Sequence, residues 1–131
     1  MTKPRAGHTV VTVPSTQTVT VEIDGRVVAR SNRPVVLYET GLPVRYYLPP
    51  DDVDLELFEP SATRTTCPFK GEASYWTYRG PADGTAEPRP DVVWAYADPI
   101  DGVTDVAGHL SFYDNAARVV VEGEPPAPSG G

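Results

Sequence analysis

The chain has 131 residues, of which 40% are hydrophobic and 22% charged, and it contains 15 prolines and 11 glycines. This length suits one domain, the composition excludes general disorder, and the prolines and glycines indicate many turns. The formal net charge of −7 disfavours nucleic acid and anionic membrane surfaces as partners, because no run of Lys or Arg offsets it. We therefore expect no nucleic acid and no membrane among its partners.

Cys67 is the single cysteine, so the chain can form neither an intramolecular disulfide nor a cysteine-rich metal site. A reducing cytoplasm fits this cysteine usage best. The first residues show no basic-then-apolar signal pattern, and no apolar stretch approaches the roughly 20 residues of a membrane helix. The sequence thus predicts a cytoplasmic protein without a metal or a cofactor.

The two ends of the chain have compositions that cannot build a core. Residues 1–17 mix Pro, Thr and Gly, and residues 124–131 read E-P-P-A-P-S-G-G, which predicts a flexible N-terminal segment and a disordered tail. The Thr- and Val-rich run 8–13 can still add an edge strand. Between the ends, residues 18–123 are expected to form a single β domain.

A hairpin near the start of this domain is the clearest structural signal. Residues 18–23 alternate polar and apolar side chains, Asp24-Gly25 tolerates the positive φ angles of a tight turn, and residues 26–31 continue the strand pattern. Because side chains alternate along a strand, the apolar members of the first arm should face the core. They are Val19, Val21 and Ile23.

Seven further short runs predict strands separated by turn residues. They are Val35 to Glu39, Arg45 to Leu48, Leu55 to Phe58, Ser74 to Tyr78, Val92 to Tyr96, Leu110 to Tyr113 and Val119 to Glu122. No helical stripe is present, although residues 50–53 and 100–106 can each form a single turn. The fold class is therefore mainly β with antiparallel pairing and at most one or two short helices.

Four pieces of sequence stand in a fixed order between residues 46 and 113. They are YYLPPDDV from Tyr46, TCPFKGEASYW from Thr66, WAYADP from Trp94 and GHLSFY from Gly108. The second piece resembles the C-P-[YF]-K-G-x-A-x-Y-[WY] signature of the domain-of-unknown-function 427 family, and the chain is identified as a member of it. The resemblance implies a compact domain built on a curved antiparallel sheet, tent-like or barrel-like, and leaves the function blank.

A nucleotidyltransferase label is attached to this family. That chemistry needs groups that hold phosphates and metal ions. The chain has no Gly-rich phosphate loop, no paired metal-binding aspartates on a strand and no basic cradle. The residues therefore give no reason to predict nucleotidyl transfer.

The turn Cys67-Pro68-Phe69-Lys70-Gly71 places a thiol three residues from an ammonium group. A nearby cation favours the thiolate, and His109 is the histidine inside the predicted domain that can serve as a base. Cys67, Lys70 and His109 are therefore the candidate catalytic residues. The alternative is a buried structural Cys67, which is the commoner arrangement for a lone cysteine.

Lys70 needs a carboxylate partner or contact with water, because an isolated ammonium is costly to bury. The candidate partners are Glu39, Glu72 and Asp98. A structural ion pair and a contact with an anionic group of a ligand are both compatible with the sequence. Asp98 can alternatively orient His109 for work as a general base.

Aromatic residues concentrate in the four pieces of sequence or beside them. Such side chains can wall a pocket for a flat or apolar molecule, and they can equally form the core of a small β domain. Arg45 beside Tyr46-Tyr47 can clamp a carboxylate or phosphate, or lie in water at a strand end. The candidate ligand-binding residues are Glu39, Arg45, Tyr47, Tyr75, Trp76, Trp94, Tyr96, Asp98 and Tyr113. Alternation places Tyr75 and Trp76 on opposite faces of their strand, so they cannot line the same cavity.

Three functions stay open at this point. The first is binding of a small organic molecule in an aromatic-lined pocket around Cys67 and Lys70, and the second is catalysis there, by Cys67 as nucleophile or by Lys70, His109 and Glu39 as acid and base. The third is an interaction module that presents an open sheet edge to a partner or to a second copy, and both a monomer and a homodimer are compatible with it. We rank binding first, because polar residues that are costly to bury recur inside apolar motifs.

Overall fold

The computed structural model describes residues 9–126, and the predictions made for residues 1–8 and 127–131 lie outside this range. The described strands are β1 (Val10–Pro14), β2 (Thr18–Ile23), β3 (Arg26–Ser31), β4 (Val35–Glu39), β5 (Arg45–Tyr47), β6 (Phe58–Cys67), β7 (Gly71–Tyr78), β8 (Arg89–Tyr96), β9 (Leu110–Phe112) and β10 (Arg118–Glu122). Three 3-10 turns accompany them, η1 (Pro50–Asp52), η2 (Leu55–Leu57) and η3 (Thr104–Val106). The mainly β class is confirmed, and no helix in the described range is long and apolar enough to cross a membrane.

The strands form three sheets. The first has the order β1-β4-β5, the second β10-β2-β3 and the third β6-β7-β8-β9. All of their strand pairs are antiparallel, as the short spacing of the runs predicted. Three open sheets thus stand where one curved sheet was expected, and none of them closes into a barrel.

The β2–β3 hairpin follows the sequence pattern. The apolar residues of β2 are buried and its polar residues are half-buried, in strict alternation. Asp24 and Gly25 have φ angles of 52° and 79°, which suit the two central residues of the tight turn that matches strand twist. The predicted inward face of β2 is confirmed.

The edge strand β6 departs from the predictions, whereas β1 fits the edge strand that the sequence allowed. Residues 55–57 form η2, so the strand predicted for Leu55 to Phe58 is wrong except at Phe58, where β6 begins. β6 pairs only with β7, most of its side chains are exposed, and its register shifts between Pro60 and Arg64. Because a strand exposed in this way carries no apolar alternation, the sequence pattern did not predict β6 beyond Phe58. β1 occupies part of the Thr- and Val-rich run as an edge strand on β4.

Two hydrophobic clusters fill the interior. The first core lies against the second sheet and includes Val21, Leu48 and Phe112. The second core is rich in aromatic residues and consists of Val35, Leu37, Tyr47, Ala73, Tyr75, Trp94, Tyr96 and Val106. The alternation predicted for β7 holds, since Tyr75 packs in the second core and Trp76 against the first. The second core carries the candidate site.

Candidate functional site

The β6–β7 hairpin fixes the position of Lys70. Cys67 pairs with Gly71 across the hairpin, and the Lys70 N–H donates to the Cys67 carbonyl oxygen at 3.1 Å. Gly71 has a φ of +120°, a backbone conformation that residues other than glycine rarely adopt. The Lys70 carbonyl oxygen in turn accepts a hydrogen bond from the Ile100 N–H at 3.0 Å. Both the N–H and the carbonyl oxygen of Lys70 are therefore hydrogen-bonded, which fixes the backbone of this lysine.

The Lys70 ammonium forms a buried ion pair with Glu39. The Nζ atom lies 2.6 Å from Oε1, and the two side chains are only 11% and 4% exposed. The same Nζ atom stands 5.9 Å from the centroid of the Tyr96 ring. Of the three carboxylates predicted as possible partners, Glu39 makes this contact, whereas Glu72 and Asp98 are exposed residues. The pair joins the third sheet to β4 of the first sheet.

Arg45 is stacked on aromatic rings. Its Cζ atom lies 5.3 Å from the centroid of the Trp94 ring and 5.9 Å from that of Tyr113, and the centroids of these two rings are 4.3 Å apart. Within residues 9–126, no carboxylate oxygen lies within 4.0 Å of its guanidinium. Arg45 thus contributes a positive charge that the described carboxylates do not neutralise by direct contact.

One hydrogen-bonded aromatic pair supports this arrangement from inside the second core. The Trp94 Nε1–H donates to the Tyr47 hydroxyl oxygen at 3.0 Å, and both residues are buried. Burial raises the pKa of Tyr47 and that of Tyr96 far above the ordinary value. Burial first, and then a hydrogen bond with Tyr75, raises the pKa of Tyr113 to about 12. These phenols are therefore neutral at physiological pH.

The side chains around Arg45 and Lys70 enclose a concavity of about 140 Å³, which we call the aromatic hollow. It is lined by Leu37, Glu39, Leu42, Pro43, Arg45, Lys70, Trp94, Tyr96 and Tyr113. Among the described residues, two cations and one carboxylate line it, and their formal charges add up to one positive unit. The sequence placed Glu39, Arg45, Lys70, Trp94, Tyr96 and Tyr113 among the candidate site residues, and the structure brings them together.

A protein-family model described as a domain of unknown function, DUF427, matches residues 11–123. The chain belongs to the DUF427 family. The family assignment made from the sequence is thereby confirmed. No curated protein is similar enough to the chain to count as a match.

Other residues that the sequence proposed for the DUF427 site lie elsewhere. Trp76 packs against the first core, and Cys67 is half-buried against the second core without lining the hollow. Asp98 is exposed. Tyr47 and Tyr75 belong to the second core, where they support the ring walls.

His109 stands apart from Lys70 and Glu39. Its Nδ1 atom lies 3.0 Å from the carbonyl oxygen of Ala107, and it is not among the lining residues. The pKa of Asp52 is lowered first by a hydrogen bond from Ser31 and also by a hydrogen bond from Arg33. In the described part of the chain, no group of three or more His, Cys, Asp or Glu side chains is placed to hold a metal ion.

Three apolar lining residues, Leu37, Leu42 and Pro43, were not predicted. Leu42 and Pro43 belong to the turn after β4, in which the Leu42 N–H donates to the Glu39 carbonyl oxygen at 3.0 Å. Leu42 is a large apolar residue exposed at the rim of the hollow. An exposed leucine in a Gly-Leu-Pro turn is the signal that could have identified this rim from the sequence.

Proposed function

We propose that this DUF427 domain binds a small organic acid in the aromatic hollow, with the acid group held by Arg45. The observation that carries the proposal is the difference between the two cations. Lys70 is neutralised by Glu39 at 2.6 Å, whereas no described carboxylate lies within 4.0 Å of the Arg45 guanidinium. Among the described lining residues, one positive charge is therefore left for an anionic group.

The chemistry of Arg45 favours a carboxylate or a phosphate. A guanidinium presents its N–H donors in a planar fork that matches two oxygens of one acid group. Stacking on Trp94 and Tyr113 orients this fork before a ligand arrives, so less conformational entropy is lost on binding. The neutral phenols near it add no negative charge that would repel an anion.

The size of the hollow limits the ligand. Its volume of about 140 Å³ is close to that of cavities which accept a single benzene ring. Pockets for drug-sized ligands are larger, roughly 300–1,000 Å³. Aromatic walls favour a planar group, so an acid with one ring or a short chain fits best.

Binding is better supported than catalysis by the residues that the sequence suggested. Cys67 does not line the hollow, and His109 is oriented by Ala107 instead of by a group of the hollow. Lys70 and Glu39 do line the hollow, but they form an ion pair in which each neutralises the charge of the other. The binding function needs no residue beyond those that line the hollow.

A thermal-shift series tests the proposal. Benzoate, cyclohexanecarboxylate and phenyl phosphate should raise the melting temperature of the wild type, and the neutral isostere benzamide should not. A ligand present at 100 times its dissociation constant adds about 2.7 kcal/mol to the free energy of unfolding. Arg45→Gln should abolish the response, because glutamine keeps a polar side chain but has no charge.

Arg30→Gln is the matched control, since it removes an exposed arginine on β3 outside the hollow. It should leave the response to acids unchanged. The proposal fails if no organic acid stabilises the wild type, or if Arg45→Gln responds as fully as the wild type does.

A further inference from the structure

β10 is an outer strand of the second sheet. It pairs with β2 through Arg118–Glu122, and the sheet order is β10-β2-β3. Among the described residues, no backbone group outside this pairing forms a hydrogen bond with the backbone of residues 118–122. No strand of the described residues therefore covers the second edge of β10.

The opposite edge of the same sheet is closed. Ala29 of β3 forms a bridge with Val53, and the Asp54 N–H donates to the Val28 carbonyl oxygen at 2.9 Å. The outer strand of the third sheet, β6, is interrupted by the register shift between Pro60 and Arg64. Shifts of this kind protect an edge from pairing. Within residues 9–126, β10 has neither a bridge on its outer edge nor a register shift.

The sequence of β10 is complementary to itself. It reads Arg118-Val119-Val120-Val121-Glu122. If two copies pair antiparallel about Val120, each arginine stands opposite the glutamate of the other copy, and Val119 stands opposite Val121. Arg118 also lies 3.8 Å from Glu22 of its own chain across the β10–β2 pair, so it would then stand between two glutamates. Opposite charges and β-branched residues in such positions stabilise a strand pair. The segment is also neutral, in a chain whose net charge is −7.

A cleft lined by apolar side chains and also by Arg45, Ser111 and Asp114 borders this strand. Val119 and Val121 line a concavity of about 140 Å³ together with Val44 and Tyr46, and Val44 is 41% exposed. A strand added to the edge would place its own valines beside this cleft and cover part of it. Burial of apolar surface would then add to the backbone hydrogen bonds of the new strand pair.

We propose that β10 pairs antiparallel with β10 of a second copy of this chain, about a two-fold axis at Val120. The second sheet then continues across the axis as six strands. Such an interface is isologous, because the same surface serves both copies. It is also short, so the dimer forms reversibly at moderate concentration.

Charge exchange between the two ends of β10 tests this pairing. We expect sedimentation velocity on the wild type, over about 10–500 µM, to show a reversible monomer–dimer equilibrium. Arg118→Glu places two glutamates opposite each other at both ends of the strand pair, and Glu122→Arg places two arginines there. Each single variant should weaken dimerisation about tenfold or more. The double variant Arg118→Glu/Glu122→Arg restores opposite charges and should associate within about threefold of the wild type.

Arg30→Glu makes the same charge change on β3 and should leave dimerisation unaffected. Circular dichroism and thermal unfolding of each variant separate a lost interface from a lost fold. A wild type that stays monomeric throughout the series overturns the proposal. So does a dimer that tolerates both single reversals, because its interface would lie elsewhere.

Discussion

Removing the Lys70 ammonium by Lys70→Met is the perturbation with the largest expected effect on stability. Methionine keeps most of the length of the side chain but removes the ammonium that lies 2.6 Å from the Glu39 carboxylate, which is only 4% exposed. Breaking a buried ion pair from one side costs about 3–5 kcal/mol, because the remaining charge stays desolvated. For a domain of this size, such a loss lowers the melting temperature by about 10 °C or more.

Urea unfolding followed by tryptophan fluorescence measures the loss. The double variant Lys70→Met/Glu39→Leu removes both charges and should regain most of the lost stability, since no desolvated ion then remains. Arg33→Met is the matched control, because Arg33 pairs with Asp52 at 3.3 Å on the exposed surface. It should cost less than about 1 kcal/mol.

Two results would refute this reasoning. A loss below about 1 kcal/mol for Lys70→Met would mean that the pair is open to solvent. A double variant as unstable as the single one would mean that lost packing, and not the isolated charge, causes the effect.

Three further predictions concern the hairpin and the aromatic residues. Trp94→Phe removes the donor from the buried Tyr47 hydroxyl and should cost about 1–3 kcal/mol in urea unfolding, so a loss within error contradicts the hydrogen bond. The pKa of Tyr113 in the folded state is raised above the ordinary value of 10.0 to about 12. This shift therefore adds to the free energy of unfolding below pH 10, and the added stability is lost as the pH rises through about 12. In an ultraviolet titration, Tyr113→Phe should remove an ionisation near pH 12, and an unchanged profile argues against that shift. Gly71→Ala forces a Cβ onto a backbone with φ of +120° and should cost about 1–3 kcal/mol, so a stable variant contradicts the hairpin geometry.

The sequence predicted the parts of the fold that rest on local patterns. The β2–β3 hairpin was predictable because its alternation and the Asp24-Gly25 turn are both contained within a few residues. β6 was not, since an exposed edge strand has no apolar period to detect. The division into three sheets also escaped prediction, because it depends on pairings between distant segments such as β1 with β4.

The same distinction applies to the site. The need of Lys70 for a carboxylate follows from the cost of burying a charge, and the sequence correctly included Glu39 among the possible partners. Choosing Glu39 required the contact across 31 residues that only the fold defines. His109 was also placed in the site, because it is the histidine inside the predicted domain, but the fold leaves it outside the lining of the hollow.

The most direct test of the account is an NMR titration of the nitrogen-15-labelled protein with benzoate. It follows two side-chain signals, the Nε–H of Arg45 and the Nε1–H of Trp94, and uses the Nε1–H of Trp76 as a reference outside the hollow. We predict saturable shifts of the Arg45 and Trp94 signals with the same dissociation constant, no shift of Trp76, and no response to benzamide. Arg45 and Trp94 signals that stay unmoved up to saturating benzoate, or that move equally with benzamide, would contradict an anion site at Arg45.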